Sequence, residues 1–372
     1  MTPEPAENFF GSAMGAGPEP ADLSHSLIKE VFAMKHRYTS VCFMLIFSFL
    51  LAAGIPAISQ AAPIELTYAN FPPAPTFPCV QMERWKTEVE KRTNGKVAIK
   101  TFPGGTLLGD KEMMDGVIAG QASIGNLCMA YQPGRFILTN VLSLNLGIPD
   151  ARVGSLVLLD LYRKYLPEEF AKVKVLTMFT TAPANIMSQK PIRNLADIQG
   201  VDLRASGGAA EFLKAWGANP VGMPMPATPE ALQKGVVKGL ISSLEAMKDF
   251  KFAELCRYVT MVETSIYPFA VVMNQDVWAA LPADVQKVMD DMMVEQAEWT
   301  GNYMDNHVKA AMEWSKQTYQ VEVIDLPAAE KAEWDKRLQP ITDKWVADAT
   351  AKGLPAAAIL EDIRVLIQKH TK

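Results

Sequence analysis

Arg204 closes a short apolar stretch, Val201-Asp202-Leu203-Arg204-Ala205, and Ser206-Gly207-Gly208 leads from it into a helical pattern at Ala209–Trp216. Those residue types in that order suit an anion. The first N–H groups of a helix lack intrahelical partners and favour negative charge. Glycines let a ligand approach the backbone closely, and a guanidinium presents a planar fork matched to a carboxylate or another oxyanion. The carboxyl end of a strand is also where open α/β sheets bind their ligands. The same spacing fits a second reading, in which Arg204 pairs with a nearby carboxylate such as Asp202 or Glu211, and spacing alone leaves the two level.

Aromatic and small polar residues gather at other expected strand ends: Asn70-Phe71 and Phe77, Tyr131, Phe179 with Asn185, and Tyr267 with Phe269. Each alone reads more naturally as core. Several together at loop–strand junctions describe the lining of a cleft.

Catalytic patterns are missing. The chain has no G-x-G-x-x-G, P-loop, H-E-x-x-H or G-x-S-x-G. After residue 61 only His307 and His370 remain, neither beside a Cys or His at metal-ligand spacing. His307 falls on a long helical stretch and reads as an exposed surface histidine. No metal, no cofactor and no catalytic residue is expected. With 36 Lys and Arg against 41 Asp and Glu, the net charge is −5, which argues against nucleic acid as a partner.

The elements that must hold these residues begin after a targeting segment. Lys35-His36-Arg37 precedes an apolar run from Val41 to Gly54, and Ser59 and Ala61 supply small residues for cleavage after about Ala61. A positive end, about a dozen apolar residues and a small-x-small terminus make residues 34–61 a secretory signal peptide. An uncleaved anchor would need about 20 apolar residues, and Pro56 closes this run early. Residues 1–33, with four prolines and no periodicity, read as a disordered extension upstream of a true start at Met34. The exported chain keeps Cys79, Cys128 and Cys256. An odd number cannot all pair, so free thiols are expected. Cys42 stands at the head of the apolar run, where it does not indicate a lipid anchor.

Ile64–Asn70 alternates apolar and polar residues as a strand does. Met82, Trp85 and Val89 then share one helical face, Lys96–Phe102 reads as a strand, Lys111–Ala119 as a short helix and Ala122–Leu127 as a strand. That alternation describes a parallel sheet with crossover helices. It recurs through Val173–Phe179, Val201–Ala205, Pro220–Met223 and Leu240–Leu244, with Tyr267–Asn274 a strongly apolar strand. From Pro282 to Tyr319 a helical pattern runs roughly 50 Å at about 1.5 Å per residue, long enough to lie across two domains. A strand at Val321–Leu326 and helices at Ala328–Ala351 and Ala356–Lys369 complete the chain. The reading is α/β, in two units, and the function is a binding module. Its rivals are an exported hydrolase or lyase and a ligand-sensing subunit of a signalling receptor.

Three stretches carry a resemblance: FPGGTLLGDKEMMDGVIAGQASIG (Phe102–Gly125), LADIQGVDLRASGGAAEFLKAWGANPVGMPMPATPEALQKGVVKG (Leu195–Gly239) and LPADVQKVMDD (Leu281–Asp291). In this order, from about Ile64 to Thr371, the chain resembles the solute-binding subunits of tripartite ATP-independent periplasmic (TRAP) transporters. The resemblance implies a two-lobed periplasmic fold, with a long helix spanning both lobes, that closes on its ligand. It implies one lobe from residues 62–181 plus about 288–331 and another from about 182–287 plus 332–372. It implies a periplasmic receptor that delivers an organic anion to the small and large membrane subunits of a permease. Arg204 matches the family's arginine that holds the ligand carboxylate. The candidate ligand-binding set is then Arg204, Ser206, Asn185, Asn70, Phe71, Phe77, Tyr131, Phe179, Tyr267 and Phe269. Sialic acid binders carry a second arginine where this chain has Ala184. FPPAPTFP (Phe71–Pro78) and FTTAPAN (Phe179–Asn185) resemble instead a subgroup that takes aromatic or other monoanionic acids, 2-oxo acids among them, with small sulfonates as the alternative.

Overall fold

The computed structural model describes residues 62–372. The extension expected over residues 1–33 and the signal peptide expected over 34–61 lie outside the described residues.

Strands β1 (Ile64–Asn70), β2 (Val97–Phe102), β3 (Ile124–Cys128) and β4 (Val173–Thr180) come first along the chain. There follow β5 (Asn185–Ser188), β6 (Asp202–Ala205), β7 (Asn219–Gly222), β8 (Gly239–Ser242) and β9 (Tyr258–Met261). The last two are β10 (Pro268–Asn274) and β11 (Glu322–Asp325). They build two sheets, one in the order β2-β1-β3-β10-β4 and one in the order β11-β9-β5-β8-β6-β7.

Neither sheet is purely parallel, in contrast to what the helix–strand alternation suggests. β10 runs antiparallel between β3 and β4, and β5 runs antiparallel to both β8 and β9. The cause lies in the crossings between sheets. The chain leaves the first sheet at the end of β4, enters the second at β5, and returns through residues 262–267 into β10. A strand entered from the interlobe side must run against strands fed by helices from the far side. The carboxyl ends of β3, β6 and β8 therefore all point toward the space between the lobes.

Placement differs from the expected segment boundaries at three places, two strands and one helix. Residues 268–274 lie in the first sheet rather than with the second lobe, and residues 322–325 in the second sheet rather than the first. The helix Ala356–Thr371 packs on the helix Ala151–Tyr165 of the first lobe, with His370 and Lys369 both on Asp160. Backbone pairing and an ion-pair cluster decide these placements, and neither shows in local periodicity.

The helix Phe77–Arg92 buries Met82, Trp85 and Val89 on one face, as their spacing requires. The helix Ala151–Tyr165, which the sequence reading leaves unnamed, is capped by Asp150, whose carboxylate accepts from the Val153 N–H at 2.7 Å. The stretch expected as one helix over Ala328–Ala351 is two, Ala328–Lys336 and Gln339–Ala351. Pro340 in the first turn of the second has no N–H to continue the first.

The long helix Ala283–Tyr319 packs on β4 and Ala151–Tyr165 in one lobe and on the helix Ala246–Asp249 in the other. Gly301 makes the first contact possible: a Cβ there would sit 2.4 Å from Arg152 Cα. The crossing segments are hydrogen-bonded to one another, Thr181 N to Tyr267 O at 3.1 Å and Ala184 N to Ser265 O at 2.8 Å. The hinge between the sheets is thus a paired strap.

Candidate functional site

A cleft opens where the strand ends meet, with about 480 Å³ of atom-free space that is partly open to solvent. From the first lobe it takes Phe77, Cys128, Tyr131 and Thr181, and from the second Arg204, Ser206, Met225, Ser242, Glu245 and Asp249. Tyr267 and Phe269, where the chain returns to the first sheet, complete the wall.

Arg204 is the decisive residue. It is 1% exposed at the end of β6, and its Nε donates to Met223 O at 2.9 Å. Its Nη2 is buried without a partner. The local carboxylates are engaged elsewhere: Asp202 accepts from Asn219, and Glu211 pairs with Lys214. A buried guanidinium nitrogen left unpaired is costly, so the arrangement is complete only with an acceptor in the cleft. Among the described residues that line it, Arg204 is the sole cation.

Ser206 lines the cleft beside it. The glycines that follow do a different job from the one their types suggest. Gly207 (φ +56°) and Gly208 approach the first lobe rather than the cleft interior. A Cβ on Gly207 would meet Ala130 Cβ at 3.0 Å, and one on Gly208 would meet Ser143 O at 3.4 Å.

The aromatic residues form one assembly. Phe269 stacks on Phe179 at 5.1 Å and on Phe71 at 6.3 Å, while Phe77 stands edge-on to Phe179 and Phe269 at 5.8 and 5.7 Å. Phe77, Phe269, Tyr131 and Tyr267 reach the cleft, whereas Phe71 and Phe179 sit behind them as support. Tyr267 donates its hydroxyl to Ile241 O at 3.1 Å, and burial pushes that hydroxyl up to about 12. Tyr131 joins the lobes by accepting from the Met225 N–H at 3.0 Å.

Asn70 and Asn185 fall outside the lining. Asn70 donates to Pro78 O and accepts from Asn126, fastening the loop after β1. Asn185 accepts from the N–H groups of Val262 and Glu263 and donates to Pro183 O. It clamps the hinge, where Glu263 adopts φ +44°.

His307 is half-buried rather than exposed, and its Nε2 pairs with Asp249 Oδ1 at 2.6 Å. That bond first, and the Asp249 charge with it, raise the histidine above its ordinary range. Asp249 Oδ2 accepts from the Phe77 N–H at 3.1 Å, a second tie between the lobes. Glu245 and Asp249 are absent from the sequence-derived candidates, although Glu245 follows the end of β8 as Arg204 closes β6. Among the described residues Cys79, Cys128 and Cys256 are buried free thiols, and burial pushes each up to about 12.

Residues 72–348 match the bacterial extracellular solute-binding proteins of family 7. The chain belongs to this family. It is 54% identical to a TRAP periplasmic solute-binding protein from Desulfovibrio salexigens, with a TM-score of 0.76 over 83% of this chain and 97% of that one. That structure is an open complex with the C-terminus of a symmetry mate in its ligand-binding site. A TRAP periplasmic solute-binding protein from Bordetella bronchiseptica, solved with (R)- and (S)-mandelate, is 28% identical with a TM-score of 0.77, over 82% and 99% of the two chains. The C4-dicarboxylate-binding periplasmic protein DctP of Rhodobacter capsulatus is 24% identical over 82% of this chain and 93% of its own. The chain is a solute-binding receptor of the TRAP type, from a family of periplasmic transport proteins rather than of enzymes.

Proposed function

We propose that this receptor captures an organic monoanion bearing an apolar, aromatic body and delivers it to the small and large membrane subunits of a TRAP permease. On this reading it is exported by a cleavable signal peptide, works in the periplasm and performs no catalysis. One observation carries the ligand assignment: the unpaired Nη2 of Arg204 is buried in a cleft walled by Phe77, Phe269, Tyr131 and Tyr267. A single cation neutralises one carboxylate or sulfonate. A second buried anion would face Glu245 and Asp249 instead of a partner and would cost several kcal/mol, on the order of an unpaired buried charge. The rings bury area and stack without adding charge. The mandelate-bound relative supports the same class.

Mass spectrometry of ligand released by denaturing the purified protein tests the proposal, together with a thermal-shift panel. Phenyl and indole acids should stabilise the protein while succinate, malate and sialic acid do not. A large shift with succinate and none with any monoanion would overturn it.

A further inference from the structure

Glu245 is 5% exposed, lines the cleft, and has an oxygen, Oε2, that is buried without any partner. Of the polar groups around it, only the Ser243 hydroxyl, also buried without a hydrogen-bond partner, is uncommitted. Tyr267 gives its hydroxyl to Ile241 O, His307 is held by Asp249 Oδ1, and the Phe77 N–H goes to Asp249 Oδ2. Nor do the two orphaned atoms of the cleft satisfy each other, since Arg204 Nη2 and Glu245 Oε2 each lack a partner. The cleft therefore presents two unmet demands of opposite kind, a donor on Arg204 and an acceptor on Glu245. A purely apolar acid answers only the first.

We propose that Glu245 is the ligand's second polar contact, and that the ligand carries an O–H or N–H donor in addition to the anion held by Arg204. This rests on the receptor reading above and narrows it to hydroxy- or amino-substituted acids. Oxo acids, which offer an acceptor where the ionised Glu245 has only acceptors, fall outside it above pH 7. Burial first, and the Asp249 carboxylate in addition, push Glu245 up to about 7, against which the Ser243 hydroxyl and, less, the His307 cation act. Tyr267, the other titratable group facing it, stays neutral at that pH. A ligand donor favours the ionised carboxylate, so preference for donor-bearing acids grows as pH rises through about 7.

The probes are matched acids measured by calorimetry at pH 8: mandelate and phenylglyoxylate against phenylacetate, and 3-hydroxybenzoate and 3-aminobenzoate against benzoate. At least one donor-bearing acid should bind tenfold or more tightly than its parent, and the hydroxy and amino arms identify which donor the site takes. Glu245→Gln should cut that ratio below threefold. In the unmodified protein the ratio should also shrink between pH 8 and pH 5.5, a readout that stands even where the variant fails to fold. Equal binding within every pair, a preference that survives Glu245→Gln, or phenylglyoxylate as the tightest probe would overturn the inference. If parent acids bind and Arg204→Met abolishes that binding, the receptor reading stands and this inference alone falls. If no acid binds, both fall together.

Discussion

Gly207 and Ala130 meet across the cleft: a Cβ on Gly207 would lie 3.0 Å from Ala130 Cβ and 3.1 Å from its carbonyl oxygen. Gly207 also holds φ +56°, a conformation that side chains, and β-branched ones above all, disfavour. The turn after β6 thus places Arg204 at the ligand and brings its own backbone against the opposite lobe. Two hydrogen bonds, Phe77 N–H to Asp249 and Met225 N–H to Tyr131, fasten the lobes around the same cleft. A side chain at 207 is accommodated only if Ala130 gives by a few tenths of an ångström or the lobes part.

Gly207→Val should therefore oppose closure without touching the ligand. The affinity for the preferred acid should fall about tenfold or more, the scale of about 1–3 kcal/mol for backbone strain of this kind. Small-angle scattering at saturating ligand should show a more extended particle than the unmodified protein. Unchanged scattering together with an affinity within twofold would mean the interlobe contact is incidental.

Arg204 separates binding from stability. A guanidinium buried with an unpaired nitrogen does not stabilise the empty protein, so Arg204→Met should melt no lower than the unmodified chain without ligand. It should show no thermal shift with any acid. Arg204→Lys keeps the charge but loses the planar fork, and should weaken binding by about 2–5 kcal/mol. A large loss of ligand-free stability in Arg204→Met, with normal binding by Arg204→Lys, would make the residue structural.

Much of this is legible in the sequence. Alternation places β1, an apolar run places β10, the near-absence of Gly and Pro, Gly301 apart, exposes the long helix, and Arg204 announces itself by standing between a strand and a glycine turn. What stays hidden depends on tertiary partners. Asn70 and Asn185 sit at strand ends as Arg204 does, but an amide there serves a backbone as readily as a ligand, and here both hold loops. Phe71, Phe179 and Phe269 have the same side chain, and only the tertiary packing decides that Phe269, stacked on both of the others, is the one that lines the cleft. β5 and β9 are as short as β6, β7 and β8, but unlike them neither leads into a helix, so the strand–helix alternation does not mark them. Ser242 and Glu245 obey the same strand-end logic as Arg204 and emerge when it is applied to β8.

Phe269 is the middle ring of three parallel ones, so its removal leaves Phe71 and Phe179 with a gap between them. Phe269→Ala should cost about 3–5 kcal/mol, the usual scale for emptying a buried phenyl site. Phe269→Leu should keep the fold and reduce the preference for aryl over aliphatic acids. Urea unfolding checks the first and calorimetry the second. A Phe269→Ala protein of ordinary stability would show that the stack is not continuous with the core.

The empty receptor should lose stability as pH rises through neutrality. Glu245 is raised from 4.5 to about 7 in the fold, so its contribution is fully present below about 4.5 and disappears as the pH passes 7. His307 is raised above 6.5 by Asp249, and its contribution is likewise present below 6.5 and lost above its folded value. The two act in the same direction and share Asp249 as neighbour. Glu245→Gln removes the first part alone. Its stability should match the unmodified protein near pH 4.5 and exceed it by about 3 kcal/mol at pH 8, since each tenfold change in the ionisation equilibrium is worth about 1.4 kcal/mol. Urea unfolding at pH 4.5, 6, 7 and 8 measures the difference directly. A difference independent of pH would mean that the Glu245 carboxyl is ionised throughout, and that something other than burial governs it. Adding a donor-bearing acid should reverse the trend, because the ligand then supplies the partner that the ionised Glu245 lacks in the empty cleft.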